Sequence, residues 1–419
     1  MWTTKNNLNT MDKIEIQNKI LYVPEYPTIP VIIGDEAGKD IWTNVRLITT
    51  EALSKCYSEK RGINWLEITV NESDNENLYE SQADIINTYS AGIIVPANHS
   101  ELKTEKSIQE TLQRKLDLYA CIRHFKRING IVTPLRKPDN IDITVIREMS
   151  EDIYAGIVWK YNTSEGAKFM HFLEDNMRVK KIRFPRTSNL AVKVISKDGC
   201  ERITKTALEY ARKSGALRLT IAHNSDKEAV TEGAYVDWAY DLIERSLDGK
   251  VLTMRKNRET KRMLGEEIAR EELENAFAKQ LMIVDDLQIG ELIDQVLLFP
   301  ERFDIVVALN SDGDFINHFI SSISGNNGLV PYINLNSETG KAIFGADINT
   351  SNPCAMILAC ASLLEYLNWN EASGLIRKSL ERIIAQGKVT DDLSHNFTNG
   401  IRLTAEEFSQ EIIKMIRNI

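Results

Sequence analysis

Short apolar runs alternate with amphipathic segments along most of the chain. Buried β-strands are predicted where about four to eight residues are mostly apolar, as at 31–34, 91–96 and 303–309. A helix is predicted at 201–215, where apolar residues recur at intervals of three or four and a glycine follows. This alternation of strand and helix is typical of an α/β fold.

Other segments carry more specific predictions. The spacing of apolar residues predicts one amphipathic helix over 104–123, and a strand is predicted at 131–137. Residues 155–188 read strand, helix, strand, with the second strand at 180–188. Residues 255–280 are dense in alternating charge, which predicts a solvated surface helix; a helix that docks a partner is the alternative.

The composition excludes several classes of protein. The chain has 419 residues, with 51 Lys and Arg against 60 Asp and Glu, a net charge of −9 and no basic block. Nucleic acids and anionic membrane surfaces are therefore not expected as partners. No apolar run approaches the ~18 residues of a membrane span, and the first residues lack the apolar core of a signal peptide. Five scattered cysteines without a CxxC pair favour reduced thiols and a cytoplasmic protein.

Five phrases together carry a family resemblance. They are SEDIYAGIVW (150–159), KKIRFPR (180–186), TEGAYVDWAY (231–240), LNSDGDF (309–315) and NPCAMILAC (352–360). In these phrases the chain resembles the isocitrate/isopropylmalate dehydrogenase family, which comprises β-decarboxylating hydroxy-acid dehydrogenases. It is most similar to the bacterial NADP-dependent isocitrate dehydrogenases. The resemblance is collinear from about residue 28 to the last residue.

The resemblance implies an isocitrate dehydrogenase-like α/β fold and a homodimer. It implies a large discontinuous α/β domain from 1–120 and 323–419. A small α/β domain would comprise 121–151 and 197–322, and a clasp at 152–196 would interlock with the partner subunit. The active site of such enzymes lies in the cleft between the domains and includes residues of the second subunit.

The reaction implied by the resemblance converts isocitrate to 2-oxoglutarate by hydride transfer to NAD(P) and loss of carbon dioxide. A polycarboxylate substrate requires fixed guanidinium groups. Arg123 and Arg147 match two carboxylate-binding arginines of the family, and Ser107 stands where a serine contacts the substrate. Gln113 replaces a third arginine and Gln109 replaces an asparagine. Structural ion pairs are the alternative role for both arginines, and a plain helix-surface position is the alternative for Ser107.

Proton transfer in this family uses a lysine and a tyrosine with tuned pKa values. Tyr154 stands where the family has its general acid, but Asn224 replaces the lysine partner. An asparagine side chain does not titrate, so it neither relays a proton nor lowers the pKa of the tyrosine. Ile94 stands where a second lysine is expected. His99 could serve as a substitute base, although a solvated loop histidine is the simpler interpretation.

The metal site of the family needs three aspartates from two segments and two subunits. Asp314 matches one of them, whereas His318 and Gly290 stand at the other two positions. Glu291 is adjacent to Gly290, but one residue along a helix turns a side chain away by ~100°. One carboxylate does not hold Mg²⁺ or Mn²⁺ well. A borderline metal bound by Asp314 and His318 with Asp312 or Glu291 is the alternative.

The cofactor residues are the least similar to the family. The segment 339–343, TGKAI, retains only Gly340 and Ala342 of the phrase HGTAP, and Asn352 matches an adenine-contacting residue. Asp391 and His395 replace the tyrosine and arginine that hold the 2′-phosphate of NADP. Because a carboxylate repels a phosphate, the sequence favours NAD over NADP if either is bound.

These substitutions support two hypotheses. In the first, the chain is a homodimer whose inherited catalytic site is impaired or re-purposed, and which still binds a di- or tricarboxylic acid. In the second, it is an active decarboxylating dehydrogenase that uses NAD(P) and a metal with changed specificity. The first is favoured because the framework phrases persist while the residues of the chemistry change.

Overall fold

The structure is a computed structural model that describes most of the chain. The described residues are 3–6, 12–17, 20–34, 36–70, 76–95, 108–246, 249–326, 328–347 and 352–419. Two of the predicted site residues, Ser107 and His99, lie outside these ranges.

Strands and helices alternate along the described chain, which confirms the predicted α/β class. The strands are β1 (Thr3–Asn6), β2 (Glu15–Gln17), β3 (Ile20–Val23), β4 (Thr28–Ile33), β5 (Asn64–Thr69), β6 (Ala91–Val95), β7 (Ala120–Lys126), β8 (Asp142–Glu148), β9 (Val158–Trp159), β10 (Leu190–Ala191), β11 (Arg218–His223), β12 (Val251–Thr253), β13 (Met282–Gln288), β14 (Ile305–Ala308), β15 (Pro331–Leu335), β16 (Ala342–Ala346), β17 (Lys388–Thr390) and β18 (Ile401–Leu403).

The α-helices account for most of the remaining described residues. They are α1 (Glu36–Tyr57), α2 (Glu76–Tyr89), α3 (Ile108–Lys115), α4 (Ser164–His171), α5 (Lys197–Ser214), α6 (Glu232–Arg245), α7 (Met254–Leu264), α8 (Glu266–Ala278), α9 (Ile289–Leu298), α10 (Asn310–Ser324), α11 (Cys354–Tyr366), α12 (Asn370–Ala385) and α13 (Ala405–Asn418). None of the helices in the described ranges combines the length and the hydropathy that crossing a bilayer requires.

One sheet of 11 strands organises the molecule. Its strand order is β12-β13-β11-β14-β8-β7-β15-β16-β6-β4-β5. Neighbouring strands are parallel except at the centre, where β7 is antiparallel to β8, and β15 is antiparallel to both β7 and β16. The central antiparallel strands β7 and β15 lie side by side although β7 ends at Lys126 and β15 begins only at Pro331. Segments from distant parts of the sequence therefore meet at the middle of the sheet.

The two faces of the central strands carry different groups. In an antiparallel pair, directly opposite residues share a face and successive residues alternate between faces. Arg123 pairs with Val145, and Cys121 pairs with Arg147, so these four side chains share one face. Apolar residues of α10 pack on Val145 and its neighbours on this face, whereas α5 packs on the opposite face of β8. Both predicted substrate arginines therefore face α10.

Three predicted elements are wrong. The helix predicted over 104–123 ends at Lys115 in the structure, and β7 begins at Ala120. Asp117 takes a positive φ of 48° and ends the helix, and the apolar residues that follow are buried in the sheet rather than along a helix face. The segments 131–137 and 180–188 are not strands: β9 pairs instead with β10. Neither predicted segment pairs with a strand among the described residues.

The charged segment 255–280 forms a helical hairpin rather than one helix. Helices α7 and α8 are separated by Gly265, whose φ of 98° is one that glycine adopts without a steric cost. The amide of Asn257 fixes the hairpin, since Nδ2 donates to the carbonyl oxygen of Ala269 (2.8 Å) and to Glu272 (2.7 Å). The predicted helical and solvent-exposed character of this segment is confirmed.

Candidate functional site

Arg147, near the end of β8, lies at the centre of the candidate site. A Cβ atom at Gly313 would stand 2.8 Å from Cγ of Arg147, so only glycine lets α10 approach the arginine this closely. The guanidinium donates from Nε (2.9 Å) and Nη2 (2.7 Å) to the amide oxygen of Asn310. The position of Arg147 therefore depends on the first turns of α10, which supply both Gly313 and Asn310.

Asp314 is bound through both of its carboxylate oxygens. Arg147 donates from Nη1 to Oδ1, and the hydroxyl of Tyr154 donates to Oδ2 at 3.1 Å. The guanidinium also lies 5.4 Å from the centre of the Tyr154 ring. The structure thus brings together three residues that the sequence predicted for three roles, in substrate binding, proton transfer and metal binding.

The environment of Tyr154 keeps its hydroxyl protonated. Burial raises the pKa of Tyr154, and the charge of Asp314 and the hydrogen bond to it raise the pKa further. Asp152, fully buried, accepts from the backbone nitrogen of Ile153 (2.6 Å) and from the backbone nitrogen of Ser311 (2.8 Å). Asp152 therefore holds the segment of Tyr154 against the start of α10.

Arg123 forms a second arginine–carboxylate pair on the same face of the sheet. Nη1 and Nη2 donate to the two carboxylate oxygens of Asp347 at 2.6 and 2.8 Å, and the guanidinium lies 5.6 Å from the centre of the Tyr332 ring. Burial acts to raise the pKa of Asp347, but the hydrogen bond from Arg123 and the charges of Arg123, His318 and Arg147 hold it below its ordinary value.

A cluster of carboxylates lies behind Asp152 and shares one cation. The amino group of Lys193 is 2.6 Å from Glu228, 2.7 Å from Glu232 and 3.7 Å from Asp152. Burial, followed by the charge of Glu232, raises the pKa of Asp312 to about 6. One buried carboxylate oxygen of Asp312 and one of Glu232 have no hydrogen-bond partner among the described residues. The cluster thus has more negative charge than Lys193 neutralises.

Replacement of Asp312 by asparagine should stabilise the protein at pH 7. The folded pKa of Asp312 lies above its unfolded value, so its contribution to stability is present below about pH 4 and is lost as the pH rises through about 6. The variant should therefore gain about 1–2 kcal/mol in the free energy of unfolding above pH 6, discounted for partial exposure, and little near pH 4. Urea denaturation at several pH values measures this. Asp139→Asn, at an exposed ion pair, is the control, and an equal gain at pH 4 and pH 8 would contradict the assignment.

The described residues do not fit a divalent metal ion. Both oxygens of Asp314 are engaged by Arg147 and Tyr154, and His318, one turn along α10, is exposed. Gly290 lies at the start of α9 with open space beside it, and the carboxylate of Glu291 accepts from Gln295 at 3.0 Å. Across the described ranges, no three His, Cys, Asp or Glu side chains are grouped closely enough to bind a metal ion.

The other predicted catalytic and substrate positions, Asn224, Gln113 and Ile94, contact the backbone or are buried in the sheet. Asn224 directly follows β11, where its carbonyl oxygen accepts from the backbone nitrogens of Lys227 and Glu228. The amide of Gln113 donates to the carbonyl oxygen of Met149, and Ile94 is buried in β6. These positions add no charged side chain to the group around Arg147.

The predicted cofactor residues are divided between two places. Gly340 lies in the turn between β15 and β16, at the opposite end of β16 from Asp347, where its carbonyl oxygen accepts from Tyr366 at 2.6 Å. Asn352 lies two residues before α11: its amide oxygen accepts from the backbone nitrogen of Cys354, and its amide nitrogen donates to Asp392 (2.9 Å).

Asp391 and His395 follow in the short 3₁₀ segment Asp391–Asn396. Both side chains are exposed, and Asp391 pairs with Arg402 at 3.1 Å. The structure thus brings Asn352 close to this segment through Asp392, but it places Gly340 elsewhere. A carboxylate at the position of Asp391 opposes a bound 2′-phosphate.

Sequence reasoning missed Asp347 and Lys193. Asp347 pairs with Arg123, which is 224 positions away in the sequence. Lys193 binds Glu228 and Glu232, which follow it only after α5 and β11. The one available signal for Asp347 was its place directly after the buried strand β16, where polar side chains often line a site.

Comparisons with known proteins agree on one family. The model of the family described as isocitrate/isopropylmalate dehydrogenase matches residues 28–412. A relative from Streptococcus mutans named isocitrate dehydrogenase [NADP] is 33% identical over 417 residues, covering 96% of this chain and 99% of the relative. A relative of the same name from Staphylococcus epidermidis is 32% identical over 419 residues, covering 97% and 99%.

Solved structures show the same fold. The crystal structure of isocitrate dehydrogenase from Methylococcus capsulatus aligns with a TM-score of 0.67 at 21% identity, covering 93% of this chain and 99% of that one. The TT0538 protein from Thermus thermophilus aligns with a TM-score of 0.68 at 19% identity, covering 96% and 70%.

Proposed function

Because the chain belongs to the isocitrate/isopropylmalate dehydrogenase family, we propose that it is a member in which the oxidative decarboxylation of isocitrate is impaired or lost. It keeps two arginines that bind carboxylates on one face of the sheet. Its role is to bind a di- or tricarboxylic acid as a homodimer rather than to convert isocitrate to 2-oxoglutarate with NADP.

The state of Asp314 carries this proposal. A metal ion would have to compete with the guanidinium of Arg147 and the hydroxyl of Tyr154, which donate to the two oxygens of Asp314. The guanidinium of Arg147 already supplies the positive charge that a metal ion would bring to this carboxylate. With His318 and Gly290 at the other two family positions, nothing in the described chain compensates for the loss.

Proton transfer supports the same conclusion. Asn224 provides no titratable group, and the pKa of Tyr154 is raised by burial and by Asp314 rather than lowered toward neutrality. A tyrosine with a raised pKa is a poor acid–base catalyst at pH 7, because its proton is held too tightly. Asp391 in turn disfavours the 2′-phosphate of NADP, which leaves NAD as the better candidate if a nucleotide is bound.

The homodimer and the domain layout are part of the proposal. Residues 152–196, the proposed clasp, expose large apolar side chains in the single chain, among them Met177 (61%) and Phe184 (62%). Large apolar side chains exposed along one segment favour an interaction surface there. The proposed large domain is 1–120 with 323–419, and the proposed small domain is 121–151 with 197–322. Five free cysteines fit a reducing compartment, the cytoplasm.

Thermal unfolding with added ligands tests the proposed function. Citrate and isocitrate at millimolar concentration should raise the midpoint of unfolding, because ligands that bind the folded state stabilise it by mass action. NADP, with or without Mg²⁺, should leave the midpoint unchanged. Sodium chloride at matched ionic strength separates specific binding from a general salt effect. Stabilisation by NADP and Mg²⁺ but not by the acids would favour the alternative, an active dehydrogenase. The relatives named isocitrate dehydrogenase [NADP], which match over nearly their whole length, are the observation that supports this alternative.

A further inference from the structure

Arg123 is held so that its two terminal nitrogens present a fork to one carboxylate. Its side chain is 17% exposed, and its guanidinium lies against the ring of Tyr332. Its Nε is buried and has no hydrogen-bond partner among the described residues. Because Nε is buried, Nη1 and Nη2 are the nitrogens that can donate to an anion. Both of them donate to Asp347, in the bidentate geometry that arginine offers to carboxylic acids.

Asp347 also lies in the field of every cation of the candidate site. The charges of Arg123, His318 and Arg147 all act to lower its pKa. Asp347 thus stands where a carboxylate ligand would be attracted. With Asp314 bound to Arg147, the two arginines face two carboxylates of the chain itself.

We propose that Asp347 is an internal carboxylate that occupies the Arg123 end of the anion site and thereby limits its affinity for di- and tricarboxylic acids. The inference rests on the proposed function, because it concerns the same acid-binding site. The Asp347 side chain is 53% exposed, so the pair is able to open toward solvent. A ligand carboxylate binds Arg123 only in the fraction of molecules in which Asp347 has moved away, and its apparent affinity falls by that fraction.

Isothermal titration of citrate and isocitrate into the full-length protein tests the inference. Asp347→Asn removes the charge and keeps the size of the side chain, and it should tighten binding on the order of tenfold to a hundredfold. Asp347→Glu keeps the carboxylate and should bind within about threefold of the unsubstituted protein. If Asp347 had only a structural role, Asp347→Asn would not bind citrate more tightly than Asp347→Glu.

The matched control is the exposed bidentate pair between Arg417 and Glu51, with distances of 2.9 and 2.8 Å. Glu51→Gln removes the same charge from the same kind of pair and should leave the affinity unchanged. Adding Arg123→Gln to Asp347→Asn should abolish the gain, because the freed donors are then gone.

An Asp347→Asn protein that is folded, by circular dichroism, and binds citrate no more than about twofold tighter would overturn the inference. So would an equal gain in Glu51→Gln or in the double variant. These outcomes are separate from a failure of the proposed function, which would show as normal isocitrate turnover by the unsubstituted protein.

Discussion

Replacing Lys193 by methionine should lower the free energy of unfolding at pH 7 by about 3–5 kcal/mol. The amino group lies within 4 Å of Glu228, Glu232 and Asp152, and two of these carboxylates are fully buried. Removal of the one shared cation leaves like charges together in a region of low dielectric, which is far more costly than the loss of a surface pair. Urea denaturation followed by circular dichroism measures the change.

The pH dependence of this loss is a second readout. Burial already raises the pKa values of Glu232 and Asp312, so both bind protons more tightly in the folded protein than in the unfolded chain. The destabilisation should shrink as the pH falls toward about 4, because protonated carboxyls need no cation. Lys414→Met, at an exposed pair with Glu411, is the control and should cost less than about 1 kcal/mol. A loss of the same small size in both variants would show that the cluster is well hydrated.

Replacing Arg147 by alanine should both destabilise the protein and abolish the response to carboxylic acids. The arginine side chain is 14% exposed and satisfies Asp314 and Asn310 together. Its removal leaves a partly buried carboxylate without its cation, at a cost of about 2–4 kcal/mol. The thermal stabilisation by citrate should disappear, because one of the two anion-binding guanidinium groups is gone.

Arg417→Ala is the matched control for this substitution. Arg417 also pairs with a carboxylate, that of Glu51, but its side chain is 62% exposed, so the loss should be at most about 1 kcal/mol and the citrate response should persist. If Arg147→Ala unfolds at the same urea concentration as the unsubstituted protein, the arginine does not hold α10 to the sheet in the way described.

Much of the fold was predictable from local patterns. Strands such as β6 and β14 are continuous apolar runs that are buried on both sides, and α5 has clear amphipathic spacing. The helix predicted over 104–123 failed because the apolar residues around Tyr119 suit a helix stripe and a buried strand equally well, and only the central place of β7 in the sheet decides between them. Periodicity contains no information about that place.

The site was predictable only as far as the family phrases extend. The resemblance marked Arg147, Tyr154 and Asp314 as candidate site residues, and the structure brings these three into contact. The resemblance did not show that Arg123 and Arg147 have carboxylate partners within the chain, because ion pairs between distant segments depend on the tertiary arrangement. The contact between Arg123 and Asp347 exists because β7, β15 and β16 are adjacent in the sheet.

The most direct test of the account is an assay of isocitrate oxidation by the purified protein. The absorbance of reduced nicotinamide is followed with isocitrate, with NADP or NAD, and with Mg²⁺ or Mn²⁺, beside the Streptococcus mutans isocitrate dehydrogenase [NADP] as a positive control. The proposed loss of the catalytic lysine and of the metal carboxylates predicts turnover at least about a thousandfold below that of the control under every condition. Turnover within about tenfold of the control, dependent on a divalent metal ion, would contradict the account, because Asp314 and Asn224 would then belong to a working site.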